Sequence, residues 1–312
     1  MKQFIKYIIL FSSVIVVLGG IMEYMLRRPN NMYKFKKELI ETKAQQIKTM
    51  IIGSSVVNHG LAPQYMAPGT YNLAVSGEWM RFNQILLERY IGQLTGLKYI
   101  IWGQCYHGLW MDDTADFSEK SVVNHKLYMN IQAANDWGHN SELISLRAIA
   151  FRKWSKYYLK HQETMECDSL GLDYHFDSNR INPAWIKDIP GLVFKQTNYM
   201  KNDRTNLYQQ NLNRIREVAI LCQKKGVHLF LVIPPVYKDF KKLANLKQLE
   251  MIEIGFRSIT NEFAHVHFLN YFADERFNQK DFYDGNHLNS DVGAVKFAKI
   301  LSQDLEALKA TF

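Results

Sequence analysis

Residues 50–60 read MIIGSSVVNHG, an apolar run that stops at a glycine followed by two serines. The run predicts a buried β-strand that ends in a sharp turn at Gly53. A nucleophilic serine needs its Oγ exposed at such a turn, close to backbone N–H donors. Ser55 is therefore a candidate nucleophile, although the same residues also fit a plain turn or a helix cap.

Outward from this stretch, short apolar runs alternate with helical patterns. Residues 82–94 have helical periodicity, and Gly226 is placed to end a helix that precedes the fourth apolar run. The alternation predicts a three-layer, flavodoxin-like α/β/α domain with a parallel sheet of about five strands. The predicted strands are residues 49–52, 70–75, 99–102, 227–233 and 265–269.

A long segment, at about residues 107–205, interrupts this alternation. It is rich in Trp, Tyr, His and Asn and contains a helix-like stretch near residues 141–160. We expect it to be an insertion at the carboxyl ends of the strands, where folds of this class place their sites. The domain itself is expected to cover residues 48–312.

The N-terminus carries an apolar segment, YIILFSSVIVVLGGIMEYML, at residues 7–26. About 20 apolar residues can span a bilayer as one helix. We expect a membrane anchor at residues 1–27 and a polar stalk at residues 28–47. A cleaved signal peptide is the alternative, but its apolar core would be shorter and a small-residue cleavage site would follow it. The expected location is the cytoplasmic (inner) membrane, with a single span and the large domain on the extracytoplasmic, periplasmic side.

A second informative stretch, FYDGNHLNSDVGAVKFAKIL, covers residues 282–301 near the C-terminus. Asp284 and His287 lie three residues apart, just before a predicted amphipathic helix. This spacing lets a carboxylate fix the imidazole tautomer while the other ring nitrogen faces a serine. The pair also fits a capping aspartate beside a surface histidine. No further ligand at metal spacing adjoins it, so neither a metal nor another cofactor is expected.

Taken together, GSS after the first strand, YNLAVSG after the second and DGNHLN before the last helix resemble the SGNH/GDSL hydrolase superfamily. The resemblance covers the chain from about residue 48 to the end, apart from the insertion. It implies an SGNH-hydrolase fold with Ser55 as nucleophile and Asp284 and His287 as its catalytic partners. It also implies an oxyanion hole formed by the backbone N–H groups of Ser55 and Gly77.

The third block of the family, Gly-x-Asn, differs in this sequence. Residues 100–108 read IIWGQCYHG, so Cys105 stands where the family has an oxyanion-binding asparagine. Gln104 is the remaining side chain whose amide could donate to the oxyanion. Loss of one oxyanion donor costs about a hundredfold in rate, which weakens an enzyme without abolishing it.

The GSS variant, the anchor and the long insertion resemble the DltD-like, membrane-anchored branch of the superfamily. That resemblance implies an esterase or O-acyltransferase acting on acyl or acetyl esters of a cell-envelope polysaccharide, beside a membrane-bound O-acyltransferase. Two alternatives stay open. The chain could be a weak or inactive accessory subunit that recruits the polymer or the acyltransferase, or a glycan-binding module that uses the aromatic insertion.

Charge and cysteine content argue against other classes. The net charge is +8, but the basic residues are scattered and not interleaved with aromatics, so no nucleic-acid partner is expected. Three cysteines without a CxxC motif do not form a disulfide framework.

Three other residues lie near these motifs in the sequence. His59 is expected on a helix surface, and His107 and Trp110 beside the pocket.

Overall fold

The computed structural model describes residues 1–112, 116, 119–132, 138–182, 184–201 and 204–310. Five of the gaps fall inside the predicted insertion, and those residues lie outside the described part of the chain. The described chain divides into two compact units. The first unit consists of Met1–Phe35 and Ser118–Met165, and the second consists of Lys36–Phe117 and Glu166–Phe312.

The second unit is built on a five-stranded sheet in which every neighbouring pair is parallel. The strands begin and end within a few residues of the predicted ones, and β1 is buried along its whole length, as an apolar run between two layers requires. The strands are β1 (Thr49–Gly53), β2 (Thr70–Asn72), β3 (Tyr99–Gly103), β4 (His228–Ile233) and β5 (Val266–Asn270).

Twelve α-helices are described along the chain, together with short 3₁₀ segments and one π-helical turn at Ser155–Leu159. The helices are α1 (Lys2–Arg27), α2 (Met32–Lys43), α3 (Ser55–Asn58), α4 (Met80–Tyr90), α5 (Glu119–Met129), α6 (Glu142–Ser145), α7 (Arg147–Trp154), α8 (Trp185–Lys201), α9 (Thr205–Lys225), α10 (Lys238–Leu243), α11 (Leu246–Glu262) and α12 (Gly293–Lys309). As predicted, α9 ends at Gly226, which adopts the left-handed conformation with φ 65°.

The strand order β2-β1-β3-β4-β5 fixes the layers. From β1 the chain moves to one side to make β2, and it then crosses back to add β3, β4 and β5 on the other side. Because such crossovers are right-handed, the two directions place helices on opposite faces of the sheet. Helix α9 contacts both α4 and α11 in one layer, while α12 contacts the connection between β1 and β2 in the other. The predicted three-layer α/β/α fold with a five-stranded parallel sheet is confirmed.

The same order identifies where a site should lie. Strand order reverses between β1 and β3, and ligands of open α/β sheets bind at the carboxyl ends of the strands at such a reversal. The segment after β1 begins with Ser54 and Ser55, and the segment after β3 begins with Gln104 and Cys105. The residues that the sequence singled out therefore sit at this edge.

The first unit is small and is formed by α1, α5, α6 and α7. Its core is a cluster of Leu26, Val123, Leu146 and Ala150. Helix α1 has the length and the apolar composition of a membrane span. The segment that we expected to be a stalk, residues 28–47, is divided between the units. Residues 36–47 belong to the second unit, and two of them, Leu39 and Ile40, are buried.

Candidate active site

The strand ends beneath Ser55 are shaped by a pair of glycines. Gly53 and Gly103 are partners in the register of β1 and β3. A Cβ on Gly53 would lie 2.5 Å from the Gly103 carbonyl oxygen, and one on Gly103 would lie 2.3 Å from Val57 Cγ1. Gly53 also has φ +131°, which side chains other than hydrogen rarely allow. The two glycines therefore let α3, which begins at Ser55, start directly against the strand ends.

Three side chains from opposite ends of the sequence form a continuous chain of hydrogen bonds beside these strand ends, which we call the relay. The Ser55 Oγ lies 2.9 Å from His287 Nε2. On the other side of the ring, His287 Nδ1 lies 2.9 Å from both carboxylate oxygens of Asp284. With the Nδ1 proton donated to Asp284, Nε2 is free to accept the proton of the Ser55 hydroxyl. The structure thus brings together all three residues that we predicted to be catalytic.

The loop that carries Asp284 and His287 is held by its own backbone. Asp284 Oδ1 accepts hydrogen bonds from the backbone N–H groups of Asn286 and His287, each 3.0 Å long. The Asn289 side chain accepts from the N–H of Gly293 at 2.7 Å and donates to the Lys280 carbonyl at 2.7 Å. The DGNHLN motif is therefore a closed turn tied to the start of α12, which fixes the imidazole before any substrate binds.

Asp284 and His287 shift each other's pKa in opposite directions. Burial lowers the pKa of His287, but the Asp284 charge and hydrogen bond outweigh it, so the pKa of His287 is raised above its ordinary value. Burial raises the pKa of Asp284, but His287 and the Asn286 amide outweigh it, so the pKa of Asp284 is lowered. Asp284 is therefore ionised at neutral pH, and His287 is poised to take a proton from Ser55.

Gly77, the predicted second oxyanion donor, lies in a tight turn after β2. The Glu78 N–H donates to the Val75 carbonyl at 3.1 Å, and Gly77 has φ +78° at the third position of the turn, which favours glycine. A Cβ there would meet nothing within 4 Å, so the site is open beside Gly77. Within the described residues, the N–H groups of Ser55 and Gly77 donate to no other group, as oxyanion donors must.

Gln104 and Cys105 follow β3 but are turned toward Ser54. Gln104 is buried, and its Nε2 has no hydrogen-bond partner among the described residues. Both line a cavity of about 10 Å³ whose wall includes Ser54 but not Ser55. Burial raises the pKa of Cys105 to about 11, although contacts with Ser54 and nearby amides oppose it. The thiol is therefore protonated at neutral pH, and a donor role for Gln104 stays a prediction.

Two further histidines, His59 and His107, lie near the relay, and our prediction for His59 was wrong. His59 is fully buried, stacked on Phe176 at 3.9 Å and 5.0 Å from the His287 ring, so our expectation of a surface position was wrong. The His107 ring makes an edge contact with Trp79 at 5.3 Å and stacks on Tyr199 at 5.5 Å. Burial lowers the pKa of His59 well below its ordinary value and that of His107 to about 4. The rings of His59 and His107 are therefore neutral near pH 7, which leaves His287 as the proton acceptor among these three.

Trp110, which we had expected beside the pocket, packs in the core instead. Its side chain is 1% exposed and stacks on Tyr208 of α9 at 5.2 Å. Within the described residues, no group of three or more His, Cys, Asp or Glu side chains could hold a metal ion. All three cysteines are free.

A buried polar network supports the segment that starts at Ser55. Asn72, the last residue of β2, donates from Nδ2 to the carbonyls of Val57 at 2.6 Å and Leu61 at 3.1 Å. Asn58 donates to Ser76 Oγ at 3.0 Å, beside the Gly77 turn. The Lys36 ammonium, fully buried, donates to Asn58 Oδ1 at 2.8 Å. These contacts connect helix α3 to the turn at Gly77, and no pattern in the sequence predicted them.

Comparison with known proteins adds little to this geometry. No protein-family model matches the chain, and no curated protein matches it. Among solved structures, a candidate platelet activating factor from Streptococcus pneumoniae is 11% identical, with a TM-score of 0.43 over 95% of this chain and 98% of its own. A candidate acylhydrolase from Bacteroides fragilis is 10% identical, with a TM-score of 0.40 over 86% of this chain and 95% of its own. At such low identities and TM-scores, neither likeness bears on the activity of this chain.

Proposed function

We propose that the chain is a serine esterase or O-acyltransferase that works through an acyl-Ser55 intermediate. The observation that carries the proposal is the continuous relay of hydrogen bonds from Ser55 through His287 to Asp284, each 2.9 Å long. Nucleophile, base and orienting carboxylate within hydrogen-bond reach are the signature of nucleophilic acyl transfer. The raised pKa of His287 and the lowered pKa of Asp284 fit these roles.

The reaction proceeds in two displacements. Ser55 Oγ bonds to the ester carbonyl carbon while its proton passes to His287 Nε2. The N–H groups of Ser55 and Gly77 hold the resulting oxyanion, and Asp284 stabilises the imidazolium. The bond to the leaving alcohol then breaks, and His287 returns the proton to the alcohol oxygen. Water, or a polymer hydroxyl, next attacks the acyl carbonyl carbon and loses its proton to His287. The bond between that carbon and Ser55 Oγ then breaks, and His287 returns the proton to Oγ.

We infer further that α1 is retained as a membrane anchor. Inside the first unit, Met22 and Leu26 pack with residues of α5, α6 and α7. The Glu23 carboxylate accepts from the Ser141 hydroxyl and from two backbone N–H groups that follow it. Cleavage after a signal sequence would remove these partners from a small core. A retained span at the cytoplasmic membrane, with the sheet domain on the extracytoplasmic side, is consistent with this packing.

The substrate class rests on the sequence resemblance alone. A DltD-like chain would act on acyl or acetyl esters of an envelope polysaccharide, beside a membrane-bound O-acyltransferase. One observation favours the accessory role instead: Cys105 replaces the family asparagine, and Gln104 lines a cavity with Ser54 rather than Ser55. An enzyme with two oxyanion donors instead of three would hydrolyse esters slowly in the absence of the membrane-bound O-acyltransferase.

The test is hydrolysis of p-nitrophenyl acetate by the full chain in detergent micelles. We expect Ser55→Ala to lower kcat/KM by about 10⁴-fold, because the nucleophile is gone. Ser54→Ala is the matched control, since within the described residues the serine hydrogen-bonded to His287 is Ser55 and not Ser54, and we expect a change of less than about tenfold. Equal, low rates in the wild type and Ser55→Ala would reject the esterase and favour the accessory subunit.

A further inference from the structure

Exposed apolar side chains are concentrated in one short part of the first unit. Beyond the end of α1, thirteen large apolar side chains are strongly exposed in the described chain, and five of them fall within residues 144–159. On the surface of a monomeric soluble protein such residues occur singly, whereas a cluster of them indicates an interaction site. The five are Ile144, Ile149, Phe151, Tyr157 and Leu159. We call residues 142–160 the juxtamembrane segment.

This segment is joined to the end of α1 by a partly buried helix cap, the Glu23 carboxylate. The Glu23 carboxylate accepts from the backbone N–H of Glu142 at 3.0 Å and of Leu143 at 2.9 Å, which are the first residues of α6. Anions at the start of a helix satisfy its free N–H groups. Leu26 packs with Leu146 and Ala150 in the same core. The juxtamembrane segment therefore begins beside the last two turns of α1.

Aromatic side chains gather at the same place. The Tyr158 hydroxyl donates to the Met25 carbonyl at 3.2 Å. Its ring lies 6.0 Å from Trp154 and 4.9 Å from Tyr157. Trp and Tyr are enriched where a membrane helix leaves the hydrocarbon, because their rings are apolar and their tips are polar. A helix of 26 residues is about 39 Å long, so its last turns reach past a hydrocarbon core of about 30 Å.

The charge of the segment is strongly positive. Residues 142–160 contain five Lys or Arg and one acidic residue, Glu142. Glu142 is buried and paired with Lys153 at 2.9 Å, which leaves four cations unmatched by acid within the segment. Arg147, Arg152, Lys156 and Lys160 are all exposed. Basic residues beside a membrane span are attracted to anionic lipid headgroups.

We propose that the juxtamembrane segment lies on the lipid bilayer around α1, with its exposed apolar side chains among the headgroups and upper acyl chains. Apolar, aromatic and basic side chains in short helices are the composition of interfacial elements. The proposal depends on α1 being a membrane span, and it is independent of the chemistry at Ser55. The partner surface is lipid, so the contact forms in a bilayer that contains no other protein.

The experiment uses the full chain reconstituted in nanodiscs of phosphatidylcholine and phosphatidylglycerol, with the fluorophore NBD attached to introduced cysteines. Ile149→Cys reports on the segment. Ile220→Cys, in α9, is the matched control, because the two isoleucines are 42% and 41% exposed. Val16→Cys reports on the span itself. The unsubstituted chain measures labelling of the native cysteines. Lipids with a nitroxide at a shallow acyl position quench NBD that enters the bilayer.

We expect nitroxide lipid to quench NBD at position 149 by roughly half, because interfacial helices bury their apolar side about 5–10 Å deep. NBD at position 220 should stay bright. Quenching at position 16 but not at 149 would overturn the proposal while leaving the anchor in place, and would point to a protein partner for the exposed residues. No quenching at position 16 would reject both the span and this proposal. Fluorophosphonate labelling of Ser55 in the same nanodiscs reports separately on the catalytic site.

Discussion

The substitution Asp284→Asn separates the charge of the orienting carboxylate from its shape. In the wild type both Asp284 oxygens lie 2.9 Å from His287 Nδ1, and they hold the ring with its proton on that nitrogen. An asparagine can donate its amide N–H to Nδ1 instead, which stabilises the other tautomer. His287 Nε2 then carries a proton and cannot accept one from Ser55. We expect kcat/KM to fall by about 10⁴-fold, or about 5 kcal/mol in the barrier.

The same variant also makes a prediction about pH. In the wild type, the neutral form of His287 is the active base, and its pKa is raised because Asp284 outweighs burial. The rate should therefore fall as pH drops through a midpoint above the ordinary histidine value of about 6.5. In Asp284→Asn only burial remains, and burial lowers a histidine pKa. The midpoint of the residual rate should move to a lower pH.

The assay is the pH profile of kcat/KM for p-nitrophenyl acetate, measured for wild type, Asp284→Asn and Asp291→Asn. Asp291 is an exposed aspartate seven residues along, which accepts hydrogen bonds from Ser178, and its amide variant should leave both rate and midpoint unchanged. A loss of less than tenfold in Asp284→Asn, or a midpoint that does not move, would refute the role given to the carboxylate.

Three further substitutions test the framework around the site, each by chemical denaturation of the full chain in micelles. Asn72→Leu leaves two backbone carbonyls and one N–H without their partner, and should lower the free energy of unfolding by about 2–4 kcal/mol; no loss would contradict its bridging role. His59→Phe keeps the stack on Phe176 and removes two ring nitrogens that have no partner among the described residues. Stability should change by less than about 1 kcal/mol, and a larger loss would mean that the ring nitrogens are bonded. Gly53→Ala forces a Cβ to 2.5 Å from a backbone carbonyl and should prevent folding, whereas Gly92→Ala meets nothing within 4 Å and should be tolerated.

The sheet was predictable because each strand carries its own signal. The runs at residues 49–52 and 227–233 are apolar on both faces, which only a strand covered by two layers requires. Gly226 indicated a helix end because glycine adopts the left-handed backbone conformation of a C-terminal cap without a steric cost. The strand boundaries shifted by a few residues, since hydrogen bonds and not hydrophobicity define where a strand stops.

The relay was predictable in part, and its surroundings were not. Ser55, Asp284 and His287 lie in short motifs whose spacing is set by local turns, so the sequence could indicate them. His59 and Lys36 carry polar side chains, which a sequence pattern by itself places on the surface, whereas both are buried. Only the packing of distant segments buries them: Phe176 covers His59, and Asn58 binds Lys36. Tertiary contacts of this kind leave no periodic trace in one sequence.

The most direct test of the central claim is covalent labelling of the full chain with a fluorophosphonate, followed by mass spectrometry of the peptides. An activated serine attacks the phosphorus and keeps the phosphonyl group, whereas an ordinary serine does not react. We predict a single adduct on Ser55 that is lost in His287→Ala and kept in Ser54→Ala. Folded protein that carries no adduct, or carries it equally in His287→Ala, would contradict the assignment of a working Ser55–His287–Asp284 site.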